Sequence, residues 1–131
     1  MGFEISERAE QINEKLKAFM ETHIYPREAE YDDFTSDHNN LWQYPDWYEG
    51  LKDEAKKQGL WNLFLPAEYK PWSPGLTNLE IAPLFETMSR AAWAHQIFNC
   101  NAPDRGNMEV LAKYGTPEQQ KQWLEPLLAG E

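Results

Sequence analysis

Residues 6–26 read SERAEQINEKLKAFMETHIYP, and this stretch decides the fold class. With Ile5 just ahead of it, its apolar residues are Ile5, Ala9, Ile12, Leu16, Phe19, Met20 and Ile24. Steps of three and four place them on one helical stripe, with Glu, Lys, Gln and Asn on the opposite face. Ser6 is a candidate N-cap, Glu7 suits the positive end of the helix dipole, and Pro26 lies just past the end.

The same logic extends along the chain. Residues 27–45, REAEYDDFTSDHNNLWQYP, show no sustained periodicity and read as a long loop with room for a helical turn; loops of this length are often functional or packed against another element. A second helix is expected from Asp46, with Asp46 and Glu49 as a capping box. Tyr48 or Trp47, with Leu51 and Ala55, form its apolar face, and Gly59 takes the left-handed position after it. Residues 59–75, GLWNLFLPAEYKPWSPG, are apolar but hold three prolines, which points to an extended connector lying on the core. Thr77 and Glu80 form a second capping box ahead of Leu79, Ala82, Phe85, Met88 and Ala92, with Pro83 inside the helix. Helix is expected to continue over 91–101, break near Pro103, and resume over Asp104–Tyr114. Thr116-Pro117-Glu118-Gln119 is a third start signal, opening a helix that carries Trp123 and Leu124 and ends at Gly130. No segment alternates like a strand. The prediction is an all-α orthogonal bundle of five or six helices, a single domain over 1–131.

Composition bounds the function. The 131 residues are 41% hydrophobic, with six Trp, six Tyr and six Phe, enough apolar surface for a real core. A formal charge of −10 argues against nucleic acid as a partner, because a phosphate backbone would be repelled. Cys100 stands alone, so no intrachain disulfide forms. The start lacks an apolar signal core, and no window approaches the ~20 apolar residues of a membrane span. The chain reads as intracellular, in the cytoplasm, with no membrane partner.

Chemistry-bearing motifs are sparse. No two of the seven glycines are separated by one residue, so neither GxGxxG nor a P-loop is present. His23, His38 and His95 lie far apart without metal-ligand spacing, and no metal site is expected. His95 and Cys100 fall about 140° apart around a helix; a buried thiol and a surface histidine is the favoured reading over a nucleophile pair. The aromatics Trp42, Tyr44, Trp47, Tyr48, Trp61, Phe64, Tyr69 and Trp72 read as core and connector packing, with a quaternary-ammonium cage as the alternative. The acidic run Glu28, Glu30, Asp32, Asp33 and Asp37 reads as a solvated loop. No catalytic residue emerges.

Four stretches carry a resemblance. FEISERAEQINEKL at 3–16, GLWNLFLP at 59–66, GLTNLEIAPLFETMSR at 75–90 and FNCNAPDRGNMEVLAKYGTPEQQKQWLEPLLAGE at 98–131 resemble the acyl-CoA dehydrogenases, most closely the branch typified by family member 11. The resemblance implies an amino-terminal helical domain of a three-domain enzyme, so the chain is expected to be a fragment of a longer protein. It implies FAD held chiefly by the other two domains, an acyl-CoA substrate, and a glutamate base outside these residues. By position, Phe98, Ala102 and Arg105 are candidates to contact the acyl tail; the alternative is core for Phe98, spacing for Ala102 and surface for Arg105. Arg105 departs from the small hydroxyl residue usual there, and an unpaired cation in a fully apolar pocket would be costly. A non-enzymatic helical adaptor is the rival function, and a small-ligand carrier a third. An excised domain would expose Trp61, Phe64, Leu65 and Trp72, with self-association or a homo-oligomer as the consequence.

Overall fold

The computed structural model describes residues 4–131. Helix α1, Glu7–Phe19, runs into a π-helical turn at Met20–Ile24 and a 3₁₀ turn at Tyr25–Arg27. Then come α2 (Glu28–Ser36), α3 (Tyr48–Lys57), α4 (Asn78–Met88), α5 (Ala94–Ile97) and α6 (Asp104–Tyr114). The last rod, residues 117–129, is α7 (Pro117–Gln119), a π-helical turn at Gln120–Leu124, and α8 (Glu125–Ala129). Among the described residues the β content is one isolated parallel bridge, Pro66 to Leu76. The all-α bundle expected from periodicity is what forms.

Its local devices are legible. Ser6 caps α1 by accepting from the Ala9 N–H, at 3.2 Å. Ala9, Leu16, Phe19, Met20 and Ile24 are buried, while Ile5 and Ile12 pack at the edge of the core. Reciprocal capping boxes close at Thr77/Glu80 and Thr116/Gln119. Gly59 and Gly130 take positive φ where the sequence places helix ends. The connector 59–75 lies on the core, burying Leu60, Leu63, Phe64 and Leu65.

Five expectations are corrected. First, the supposed loop over 27–45 contains α2. That helix buries no residue fully; it is held by tertiary contacts, with Tyr31 stacked on Trp93 at 4.6 Å and the Trp47 indole N–H donating to Glu30 at 2.7 Å. The acidic residues named for that loop thus sit mainly on a solvated helix. Second, Asp46 and Glu49 form no capping box: Trp47 is the N-cap without a side-chain bond, and Glu49 pairs with Lys52 instead. Third, the core face of α4 is Ile81, Leu84, Thr87 and Met88, while Leu79 is exposed. This helix is apolar on most sides, so periodicity alone did not choose the face; packing on α1, with Thr87 donating to Asn13 at 2.8 Å, did. Fourth, helix does not run through 91–101: α5 spans four residues, and Asn99 at φ 54° ends it. Fifth, Phe64 and Leu65 are buried and Trp61 and Trp72 half-buried, so the predicted apolar patch is largely absent.

Candidate functional site: a groove between α4 and α6

The outer face of α4, the α5 segment and the start of α6 enclose a groove of about 360 Å³. Phe85 lines it from α4, Ser89 and Ala92 from the turn that follows, His95 and Gln96 from α5, and Cys100, Asn101, Ala102 and Arg105 from the segment that leads into α6 and its first turn. Two of the three residues singled out for tail contact therefore meet here, Ala102 and Arg105. Phe98 points the other way: it is fully buried and packs edge-to-face on Phe19, with ring centroids 5.2 Å apart.

The floor of the groove is set from behind. Residues 98–101 leave α5 through the left-handed Asn99, whose amide donates to Asn62 Oδ1 at 2.7 Å and to the Leu127 carbonyl at 2.9 Å. The Asn62 amide and the Trp61 indole N–H both donate to the Leu128 carbonyl, at 2.9 and 2.7 Å, and Lys56 reaches the Ala129 carbonyl at 2.8 Å. These bonds satisfy the carbonyls that a helix C-terminus leaves unpaired. They tie the last rod to the 60s connector and to the groove floor. Asn62, Asn99 and the Trp61 indole carry no pattern in the sequence that marks them as a unit; the structure puts both asparagines at positive φ, a region asparagine tolerates better than most residues.

The chemistry of the lining is uneven. Cys100 is buried with its thiol on the Phe98 carbonyl at 3.2 Å, and burial pushes its pKa up to about 12, so it is no nucleophile. His95 Nε2 lies 3.1 Å from the Ser89 hydroxyl, while Nδ1 is buried without a partner. Burial, and then the nearby Arg105 cation, hold the His95 pKa below its ordinary value. The Arg105 guanidinium lies over the Phe85 ring, 4.8 Å from its centroid, and His95 stands 5.3 Å from the same ring. Ser89 and His95 are within hydrogen-bonding distance, but no carboxylate among the described residues holds His95 Nδ1, so no triad is assembled. The aromatics do not form a cage either: Tyr31, Tyr44, Trp47, Tyr48 and Trp93 stack on one another, Phe64 is core, and Trp42 is 97% exposed and apart. Among the described residues, no group of three potential metal ligands converges, and no helix is long and apolar enough to cross a membrane.

Comparison with known proteins gives this arrangement its context. The family model for the acyl-CoA dehydrogenase N-terminal domain matches residues 6–131. The chain belongs to that family. It is 45% identical over 129 residues to acyl-CoA dehydrogenase family member 11 of Gallus gallus, a match covering 96% of this chain and 16% of the relative. It is 44% identical over 140 residues to the probable acyl-CoA dehydrogenase FadE2 of Mycobacterium tuberculosis, covering all of this chain and 31% of that protein. A solved structure from Mycobacterium abscessus, ascribed to an acyl-CoA dehydrogenase, superposes with a TM-score of 0.85 at 42% identity, over 97% of this chain and 33% of that one. The chain thus spans a third or less of each of these relatives.

An acyl-CoA dehydrogenase implies FAD, and the residues present do not make a site for it. The second depression, about 240 Å³ between Tyr44, Lys52, Trp61 and Asp104, offers one cation, Lys52, which Glu49 already holds at 2.8 Å. No glycine-rich turn presents successive N–H groups to a pyrophosphate, and the chain carries −10.

Proposed function

We propose that this chain is the amino-terminal domain of a flavin-dependent acyl-CoA dehydrogenase, which oxidises the α,β bond of an acyl thioester. Its contribution is a wall for the acyl tail; the flavin and the catalytic base come from domains beyond it. The observation that carries this reading is the groove of Phe85, Ala92 and Ala102, open on one side, on a chain that matches the family over residues 6–131. An apolar ring and two alanine methyls offer dispersion contacts and displace water from a hydrocarbon tail, at roughly 25 cal/mol per Å² of apolar surface covered. The slot is incomplete here, so a tail bound to this chain alone leaves much of its surface wet, and affinity is low. The Phe98 ring is buried against Phe19 and does not line the groove. The adaptor reading drew on an exposed aromatic face, and Phe64 and Leu65 of that face are core.

The test is the gene around this segment. A reading frame continuing past Glu131 into a Thr-Glu-Pro-like strand supports the enzyme, and the protein it encodes should purify yellow and pass electrons from an acyl-CoA to a dye. The 131-residue chain by itself should be colourless and inactive. A stop codon after Glu131, or stoichiometric flavin on the isolated chain, would overturn the assignment of labour between domains.

A further inference from the structure

The groove is unusual for a hydrocarbon wall in one respect. The chain holds 22 acidic residues against 12 basic ones, yet the groove lining contains no carboxylate, and its single formally charged side chain is Arg105. That cation is poorly neutralised from within. Its one salt-bridge partner among the described residues, Glu109, stands 3.9 Å from Nε, with both side chains about two-fifths exposed, and such a pair contributes little. The guanidinium carbon instead lies 4.8 Å from the Phe85 ring centroid, a cation–π contact that uses none of its N–H groups as donors to an anion. Beside it stand the Ser89 hydroxyl and His95, whose Nδ1 is buried and unpartnered. A methyl-terminated tail would cover these groups and satisfy none of them, which costs desolvation energy without return.

We infer that the groove of Phe85, Ser89, His95 and Arg105 is a subsite for a carboxylate at the distal end of the acyl chain. This inference rests on the acyl-wall reading above and names its substrate class: thioesters of dicarboxylic acids. The carboxylate takes the free edge of the Arg105 fork as a charge-assisted pair. The Phe85 ring and Ala102 methyl line the approach for the methylene stem, and His95 with Ser89 supplies hydrogen-bonding capacity alongside. No covalent change occurs at this end of the substrate.

Two experiments test it. The first uses the 131-residue chain and two probes with the same stem, hexanoate and 1-hexanol, followed by NMR at the Arg105 Nε–H and the His95 ring. Hexanoate should shift both signals and raise the His95 pKa, because the bound anion offsets the Arg105 charge; hexanol should do neither. Arg105→Gln should weaken hexanoate by about tenfold or more, and Arg105→Lys, which keeps the charge and loses the fork, by less. Hexanol binding as well as hexanoate, or Arg105→Gln binding hexanoate undiminished, would leave the groove a plain apolar wall and end the proposal. Absence of any shift with hexanoate would do the same. The second uses the longer protein that the assigned function requires, comparing octanoyl-CoA with the thioester of octanedioic acid. The diacid thioester should be preferred in kcat/KM, and Arg105→Gln should reverse the preference. Oxidation of octanoyl-CoA alone, unaffected by Arg105→Gln, defeats the carboxylate subsite and spares the dehydrogenase. Oxidation of neither, with hexanoate still held by Arg105, defeats the dehydrogenase and spares the anion site.

Discussion

Replacing Asn99 tests how the groove floor is built. Its amide makes two close bonds, to Asn62 Oδ1 and the Leu127 carbonyl, with a longer contact to Met108 Sδ at 4.0 Å, and its backbone sits at φ 54°. Asn99→Ala removes both bonds and keeps a Cβ in the left-handed region without asparagine's tolerance for it. Two hydrogen bonds at roughly 1 kcal/mol each, plus about 1 kcal/mol for the backbone, give a loss of about 3 kcal/mol. Asn99→Gly removes the bonds and relieves the backbone, so it should cost about 2 kcal/mol. Asn99→Asp keeps the shape but turns a carboxylate oxygen toward Leu127 O and Asn62 Oδ1, and should be the worst, above about 3 kcal/mol at neutral pH. Urea unfolding monitored by tryptophan fluorescence measures the series, read at constant m. Hydrogen exchange should report the loss first at the amides of the last rod, since it is tied down through Leu127 and Leu128. The reasoning fails if Ala and Asp variants lie within about 0.5 kcal/mol of the parent, or if Gly is as damaging as Asp.

Three further outcomes follow from the same structure. A Cβ at Gly130 would lie 2.7 Å from the Trp61 ring at φ 89°, whereas one at Gly50, inside α3, meets nothing within 4 Å; thermal melts should show Gly130→Ala destabilised by about 1–3 kcal/mol and Gly50→Ala stabilised by about 0.5–1. Glu80 accepts from the Ser6 hydroxyl and from Thr77, which holds its pKa at about 2 against an ordinary 4.5. A depressed carboxylate stabilises fully above pH 4.5 and loses that contribution as pH falls toward 2, so the Tm gap between parent and Glu80→Gln should close across that window; a constant gap refutes it. Cys100, buried with its pKa pushed up to about 12, should resist a thiol reagent in the native chain and react promptly in denaturant; fast native labelling would show that the floor of the groove opens.

Local rules carried the sequence a long way. Caps at Ser6, Thr77 and Thr116, the stop at Gly130, and the stripe from Ala9 to Ile24 depend on neighbours within four residues, and all can be read from a string of letters. So can the family, because the motifs over 59–66, 75–90 and 98–131 are long and ordered. What the string could not hold was any choice between equivalent local options. Helix α4 has two apolar faces, and only α1 decides that Ile81, Leu84 and Met88 go inward while Phe85 is left to line a groove. Helix α2 has no stripe of its own, and forms because Tyr31 finds Trp93, 62 positions along the chain. Arg105 reads in sequence as a surface cation or a misfit in an apolar slot; its stacking on Phe85 beside His95 exists only once α4 and α6 converge. Hydrogen bonds within a turn are written into adjacent residues, whereas the partner of a ring or a guanidinium is set by which surfaces burial brings together.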